Sequence, residues 1–186
     1  MAFREKGYAA TTVDDLCRVA GVTKGAFFHH FENKEDAALE AIALWNARTR
    51  ELFEGAPWSQ VEDPRERLMA YLDFRARLAN EGLPGLACLL GTLAQEIYAS
   101  HPALRAACEE GIEAHVRMLV PVIEAAKARY APQADWSAEG LARHVQAVLQ
   151  GSFVLAKVTY TSSPVPDAVD HLKRYVSLLI PPGNAA

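Results

Sequence analysis

Apolar residues recur at three- and four-residue spacings along most of the chain, and the texture between them is rich in Leu and Ala and poor in strand formers. That pattern predicts an all-α fold. The first well-marked stripe is Val13, Leu16, Cys17 and Ala20. Thr12 stands in front of it, where its hydroxyl can accept the Asp15 backbone N–H while the Asp15 side chain reaches back, a capping box. Gly21 tolerates the left-handed backbone of a helix end and stops the helix, and Val22 is expected to fold back onto it. Thr23 opens a short second helix over Lys24, Gly25, Ala26, Phe27, Phe28, His29 and His30, and Asn33 caps a third beginning at Lys34. Phe27 and Phe31, four residues apart, read as core.

The third helix runs to about residue 54, with Leu39, Ile42, Ala43 and Leu52 or Phe53 marking an apolar side. A loop over residues 55–62 contains Pro57 and Trp58. Asp63 and Pro64 then open a helix whose Leu68, Tyr71, Leu72, Phe74 and Leu78 make it apolar over most of its circumference, as a helix central to a core must be. Gly82, Pro84 and Gly85 predict a break before a helix through Cys88, Leu89, Leu90, Leu93 and Ile97, and Ser100 with Pro102 predict another. Residues 103–130 read as one long helix with Leu104, Ile112, His115, Val116, Leu119, Val122 and Ile123 inward, kinked or short of one hydrogen bond at Pro121. The last two helices span about residues 137–160 and 166–179. One shows Leu141, Val145, Val148, Leu149, Ser152 and Leu155, the other Ala168, Leu172, Tyr175, Val176 and Leu179. The small residues Gly151, Ser152 and Ala156 allow close helix approach. This is more apolar face than one body covers, and it implies a partner.

Composition narrows the class. A chain of 186 residues, 51% hydrophobic, is long enough for one large or two smaller cores. It carries no apolar run of membrane-spanning length and no signal-peptide pattern at its start, so a soluble cytoplasmic protein is expected. Cys17, Cys88 and Cys108 are odd in number and lack metal spacing, so three reduced thiols and no metal are expected, and no cofactor motif is present. Paired acids, an activated nucleophile or a metal set are missing, which argues against an enzyme. The net charge of −4, with five Lys or Arg against five Asp or Glu in the first 35 residues, does not by itself suggest nucleic acid. Asp14, Asp15 and Glu35 fall in first helical turns, where they complement the helix dipole. Arg4, Lys24 and Lys34 are left to converge on phosphates.

Two short helices joined by a glycine turn form the unit whose second member lies in a major groove. Lys24 can reach a phosphate or a guanine edge, Gly25 and Ala26 let the backbone approach the bases, and His29 and His30 add hydrogen-bonding groups. Lys34, in the next first turn, can hold a phosphate oxygen.

The matching residues Phe3, Gly7, Tyr8, Thr11, Thr12, Val13, Leu16, Ala20, Gly21, Val22, Thr23, Gly25, Phe27, His30, Phe31 and Lys34 resemble the helix-turn-helix of the TetR/AcrR family of bacterial transcriptional regulators. Phe28 stands where the family usually has a tyrosine that meets a phosphate, Cys17 replaces a small alanine, and the segment before Phe3 is short. The resemblance implies a DNA-binding domain over residues 1–46 and a ligand-sensing and dimerisation bundle over residues 47–186. It implies a homodimer through the last two helices, a double-stranded operator and a small-molecule effector. The expected DNA-binding set is Thr12, Thr23, Lys24, Gly25, Ala26, Phe28, His29, His30 and Lys34. An effector pocket is expected among Tyr71, Phe74, Cys88, Thr92, Gln95, His115, Met118, Phe153 and Lys157, whose spacing places them inward. The reading is a ligand-released repressor. Two alternatives stand beside it: an electrophile- or redox-sensing regulator using Cys88, whose surroundings resemble a cysteine-containing segment of some family members, and a helical interaction scaffold.

Overall fold

The computed structural model describes residues 2–79 and 88–182, so the predicted break at Gly82, Pro84 and Gly85 lies outside the described residues. Among those described, the protein is all-α. In chain order the helices are α1 (Ala2–Lys6), α2 (Val13–Ala20), α3 (Lys24–His30), α4 (Lys34–Glu54), α5 (Pro64–Leu78), α6 (Leu89–Ile97), α7 (Pro102–Tyr130), α8 (Ala138–Thr159) and α9 (Pro164–Leu179), with a 3-10 turn at Pro57–Gln60 inside the predicted loop. None of these is long and apolar enough to cross a membrane.

The chain divides into two compact units, Met1–Glu51 with Ala87–Ile112, and Leu52–Leu86 with Glu113–Ala186. In the first, Phe3 and Tyr8 share a core with Ala38 and Ile42 of α4, with Leu89, Leu90, Leu93 and Ile97 of α6, and with Leu104 and Cys108 of α7. A satellite cluster of Cys17, Phe27 and Ala37, with Val13, Leu16 and Phe31 against it, joins α2, α3 and α4. The expected apolar side of α4 is corrected at Ala43, and of its two alternatives near the end one is borne out. Ala43 is exposed, and Phe53 rather than Leu52 turns inward.

In the second unit α5 is central, as its sequence predicts: Leu68, Tyr71 and Leu72 are inaccessible to solvent. α9 packs on α8 and on α5, and α5 packs on the 3-10 turn. Asp63 caps α5 by accepting from the N–H groups of Arg65 at 2.9 Å and Glu66 at 3.0 Å. Arg65 Nε donates to the Ile180 carbonyl at 2.9 Å, tying the start of α5 to the end of α9. α7 is continuous through Pro121. The ring removes one N–H without ending the helix, because packing of Val116, Leu119, Val122 and Ile123 on the core holds both halves.

Candidate nucleic-acid interface and buried polar cluster

The corner between α2 and α3 is built from local chemistry. Thr12 Oγ1 accepts from Asp15 N at 3.1 Å and the Asp15 carboxylate accepts from Thr12 N at 3.1 Å, the expected capping box. Gly21 sits in the left-handed region at φ 68°, where a Cβ is strained. Val22 folds back only through its backbone, donating its N–H to the Cys17 carbonyl at 3.0 Å; its side chain is exposed, which corrects the expected packing. Thr23 Oγ1 caps α3 by accepting from Ala26 N at 3.2 Å. Asn33 Oδ1 caps α4 by accepting from Asp36 N at 3.0 Å.

α3 has one inward anchor. Phe27 is buried against Phe31, ring centroids 5.2 Å apart. Thr12, Thr23, Lys24, Gly25, Phe28, His29 and His30 are exposed, and Ala26 is partly so. Phe28 leans edge-on against Phe27 at 5.2 Å but leaves 54% of its surface to solvent. His29 and His30 lie edge to face at 5.1 Å.

The three cations expected to converge on phosphates have different fates. Lys24 is exposed and pairs with Asp14 at 2.9 Å, which raises the pKa of its ammonium. Arg4 is buried with its guanidinium 5.1 Å from the Trp45 ring centre, so it is withdrawn from any phosphate; α1 is short and packs down on the core. Lys34 Nζ donates to the Tyr8 carbonyl at 3.0 Å and lies 4.2 Å over the Tyr8 ring, which makes it part of the scaffold. Asp15 gathers the remaining charge: Lys6 at 2.8 Å, both polar groups of Thr12, and Arg18. The Lys6 hydrogen bond first, and then those from Thr12, hold its carboxyl well below the usual carboxylate range.

One feature of this corner has no clear sequence signal. The Glu96 carboxylate of α6 accepts from Ala9 N at 2.9 Å and lies directly over Gly7, where a Cβ would come within 1.7 Å of Glu96 Oε1. Gly7 also has φ 81°. The glycine therefore serves both a left-handed turn and a close carboxylate, and it latches the α1–α2 corner onto α6.

The expected pocket residues are divided between the two units. Cys88, Thr92 and Gln95 belong to the first unit and the rest to the second. Gln95 is exposed and its amide donates to the Gly91 carbonyl of its own helix at 3.0 Å, so the inward placement fails. Lys157 is also exposed, beside the buried Ala156 on α8. Cys88 is partly buried as the N-cap residue of α6, without a side-chain capping bond.

In the second unit Tyr71, Phe74, His115 and Phe153 do come together, around Phe53, expected only on the apolar side of α4, and Arg75, which the pattern reading passed over. The Phe53 ring lies 5.3 Å from Phe74 and 4.5 Å from His115. Tyr71 Oη is 2.7 Å from His115 Nε2, and Arg75 Nη1 donates to both, at 3.0 Å each. Because arginine only donates, Nε2 must present its lone pair, which makes His115 the neutral tautomer with its proton on Nδ1. Burial first, and then the Arg75 charge, lower the His115 pKa to about 3. Burial raises that of Tyr71. Met118 packs against the same core from α7. A signal for Arg75 exists in the sequence: it completes the stripe Leu68, Tyr71, Leu72, Arg75 at the i, i+3, i+4, i+7 spacing.

Comparison with known proteins supports the same picture. A family model described as "Bacterial regulatory proteins, tetR family" matches residues 1–41, and one described as "Tetracyclin repressor-like, C-terminal domain" matches residues 64–172. The chain is 30% identical over 165 residues to the transcriptional regulator AcuR of Cereibacter sphaeroides, covering 87% of this chain and 74% of that protein. It is 25% identical to the HTH-type transcriptional repressor DhaR of a Mycobacterium species, covering 88% of this chain and 80% of that one. Among solved structures, a regulatory protein TetR from Rhodobacter sphaeroides superposes with a TM-score of 0.82 at 27% identity, covering 94% of this chain and 92% of the other.

Proposed function

The chain belongs to the TetR family of bacterial regulatory proteins and is a transcriptional regulator of that type; from that premise we propose that it is a ligand-released repressor that binds a palindromic operator as a homodimer. The observation that carries the DNA-binding part is α3. Its one large inward ring, Phe27, seats the helix, while Lys24, Gly25, Phe28, His29 and His30 are left facing solvent.

In this reading residues 1–46 form the DNA-binding domain and residues 47–186 sense the effector and dimerise. Lys24 exchanges Asp14 for a phosphate or a guanine edge, His29 and His30 offer hydrogen bonds to bases, and Gly25 and Ala26 allow close backbone approach. Thr12 and Thr23 stand at helix N-termini, where backbone N–H groups favour a phosphate oxygen. Phe28 contributes ring contact without the hydroxyl bond, and Lys34 acts mainly by holding Tyr8. Dimerisation is supported by the exposed Val154, Leu155, Val158 and Tyr160 at the end of α8 and Tyr175 and Leu178 on α9, an apolar surface uncovered in the single chain. A regulator of bacterial operators works in the cytoplasm.

The thiol-sensing alternative is not favoured. Cys108 is buried, and burial followed by the nearby Cys88 pushes its thiol up to about 11. Among the described residues no hydrogen bond or ion pair engages the Cys88 thiol, whose carbonyl alone accepts from Thr92 N at 3.0 Å. An interaction scaffold leaves the solvent-facing α3 set without a purpose.

Selection of bound duplexes from a random pool, with sedimentation of the complex, tests the reading. The expected result is a palindrome with half-sites about one helical turn or a small multiple apart, bound by an even number of chains. Recovery of unrelated sequences, or a chain that stays monomeric on DNA, overturns it.

A further inference from the structure

We propose that the cluster around Tyr71 in the second unit is a binding site for a small organic carboxylate, with the Arg75 guanidinium as its anchor. This rests on the effector-binding role assigned above to the body and gives that effector a chemical class.

Arg75 is only 9% exposed, yet the groups it touches are neutral: the Tyr71 hydroxyl and the His115 lone pair. Among the described residues no carboxylate pairs with it. The nearby acids of α5 are engaged elsewhere, Asp73 by Lys173 at 2.6 Å and Glu66 by Arg65. Three aromatic rings flank the guanidinium, Phe53 at 5.3 Å, Tyr71 at 5.9 Å and Phe153 at 5.7 Å. They attract the cation through their faces but supply no in-plane acceptor. Only Nη1 is used in hydrogen bonding; Nε and Nη2 have no acceptor among the described residues. A buried charge left without a counter-ion is costly, and folded proteins retain one where a ligand completes it.

Hydrogen-bond bookkeeping points the same way. Gln146 is 6% exposed, and its side chain is turned to the Tyr71 hydroxyl as a hydrogen-bonding partner. Trp58 Nε1 is buried without a partner, with its ring 5.2 Å from that of Tyr71. Among the described residues the cluster therefore holds unused donors on Arg75 and Trp58. What completes it is an anionic acceptor with two coplanar oxygens that match the planar fork of Arg75. The neighbouring Phe53, Phe74 and Phe153 rings favour a ligand with an apolar remainder over a fully hydrated inorganic anion.

The test uses the full chain at constant ionic strength with sodium propanoate and sodium benzoate, their neutral amides, and sodium sulfate. Thermal unfolding is expected to shift upward with at least one of the two carboxylates and not with its amide. The Arg75 Nε–H resonance, followed with 15N-arginine label, is expected to move on the same titration. Arg75→Met is expected to bind the active carboxylate at least about tenfold more weakly while melting no lower than the parent, since it removes an unpaired buried charge. A wild-type chain whose melting and Arg75 resonance respond to neither acid, or to acid and amide alike, overturns the proposal. So does a response to sulfate equal to that of the acids, or an Arg75→Met chain that folds and keeps full affinity. If Arg75→Met does not fold, the resonance measurement on the unaltered chain decides. Duplex selection on the same preparation separates the two readings: operator binding without an acid response leaves the regulator standing and removes the carboxylate site, whereas an acid response without sequence-specific DNA binding does the reverse.

Discussion

Helices α3 and α5 each carry a cation, Lys24 and Arg75, and they place it in opposite surroundings. The Lys24 side chain is 60% exposed and shares its charge with an equally exposed Asp14, so water and salt screen the pair. Arg75 lies inside a core, held by rings and neutral acceptors, with no carboxylate against it among the described residues. The contrast shows how one chain keeps two kinds of positive charge. The first is cheap to hold and free to change partners, as contact with DNA phosphates requires. The second is costly to hold, and its retention calls for a partner of opposite charge.

The largest effect is expected at the anchor of α3. Phe27→Ala removes a buried ring and is expected to cost about 3–5 kcal/mol. Circular dichroism should show early loss of part of the helical signal, and DNA binding should vanish while any carboxylate response of the second unit persists. Retention of DNA binding would mean that α3 does not depend on Phe27 for its position.

A second effect belongs to α5 and its neighbours. His115 faces Tyr71, Arg75 and Phe53, and its pKa is lowered from 6.5 to about 3. Since the folded value is the lower one, the unfolded chain takes up the proton first as the pH falls. The stabilising contribution is complete above about pH 6.5 and is lost progressively toward pH 3, at about 1.4 kcal/mol per pH unit within that window. Urea unfolding between pH 7 and pH 4.5 should show this slope, and His115→Asn should flatten it. An unchanged slope in the variant would assign the acid sensitivity to other groups.

At the α1–α2 corner, Gly7→Ala places a side chain at a positive φ and against Glu96. A loss of about 1–2 kcal/mol is expected in thermal melting, with the Ala9 to Glu96 hydrogen bond broken. The smallest effect on stability separates the two lysines. Lys24→Ala should leave the melting temperature unchanged and lower the salt slope of operator binding by about one unit. Lys34→Ala should lower the melting temperature, through loss of the Tyr8 contacts, by the equivalent of about 1 kcal/mol. The reverse assignment of the two effects would show that Lys34, not Lys24, faces the phosphates.

The legible parts of the fold are the local ones. The Thr12–Asp15 box, the Gly21 stop, the Thr23, Asn33 and Asp63 caps and the central place of α5 all follow from residues within a few positions of one another. Expectations that needed distant partners were less secure. Arg4 read as a free cation but is drawn under Trp45, Val22 read as packed but stays exposed, and Gln95 read as inward but bonds its own helix. Arg75 and Gln146 were passed over because polar residues on an apolar stripe are easily taken for its edge. Gln146 in fact follows Ala142 and Val145 and precedes Leu149 at core spacing.

By itself, the amino-acid order determined the helices, their ends and the glycine-cornered pair near the start, since capping and periodicity act over one or two turns. Only the tertiary structure decided that α6 shares a core with Phe3 and Ile42, that Glu96 closes over Gly7, and that Arg75, His115 and Gln146 converge on one phenol. Those outcomes depend on which surfaces meet across tens of residues, and a local pattern carries no information about the charge or shape of a partner that far along the chain.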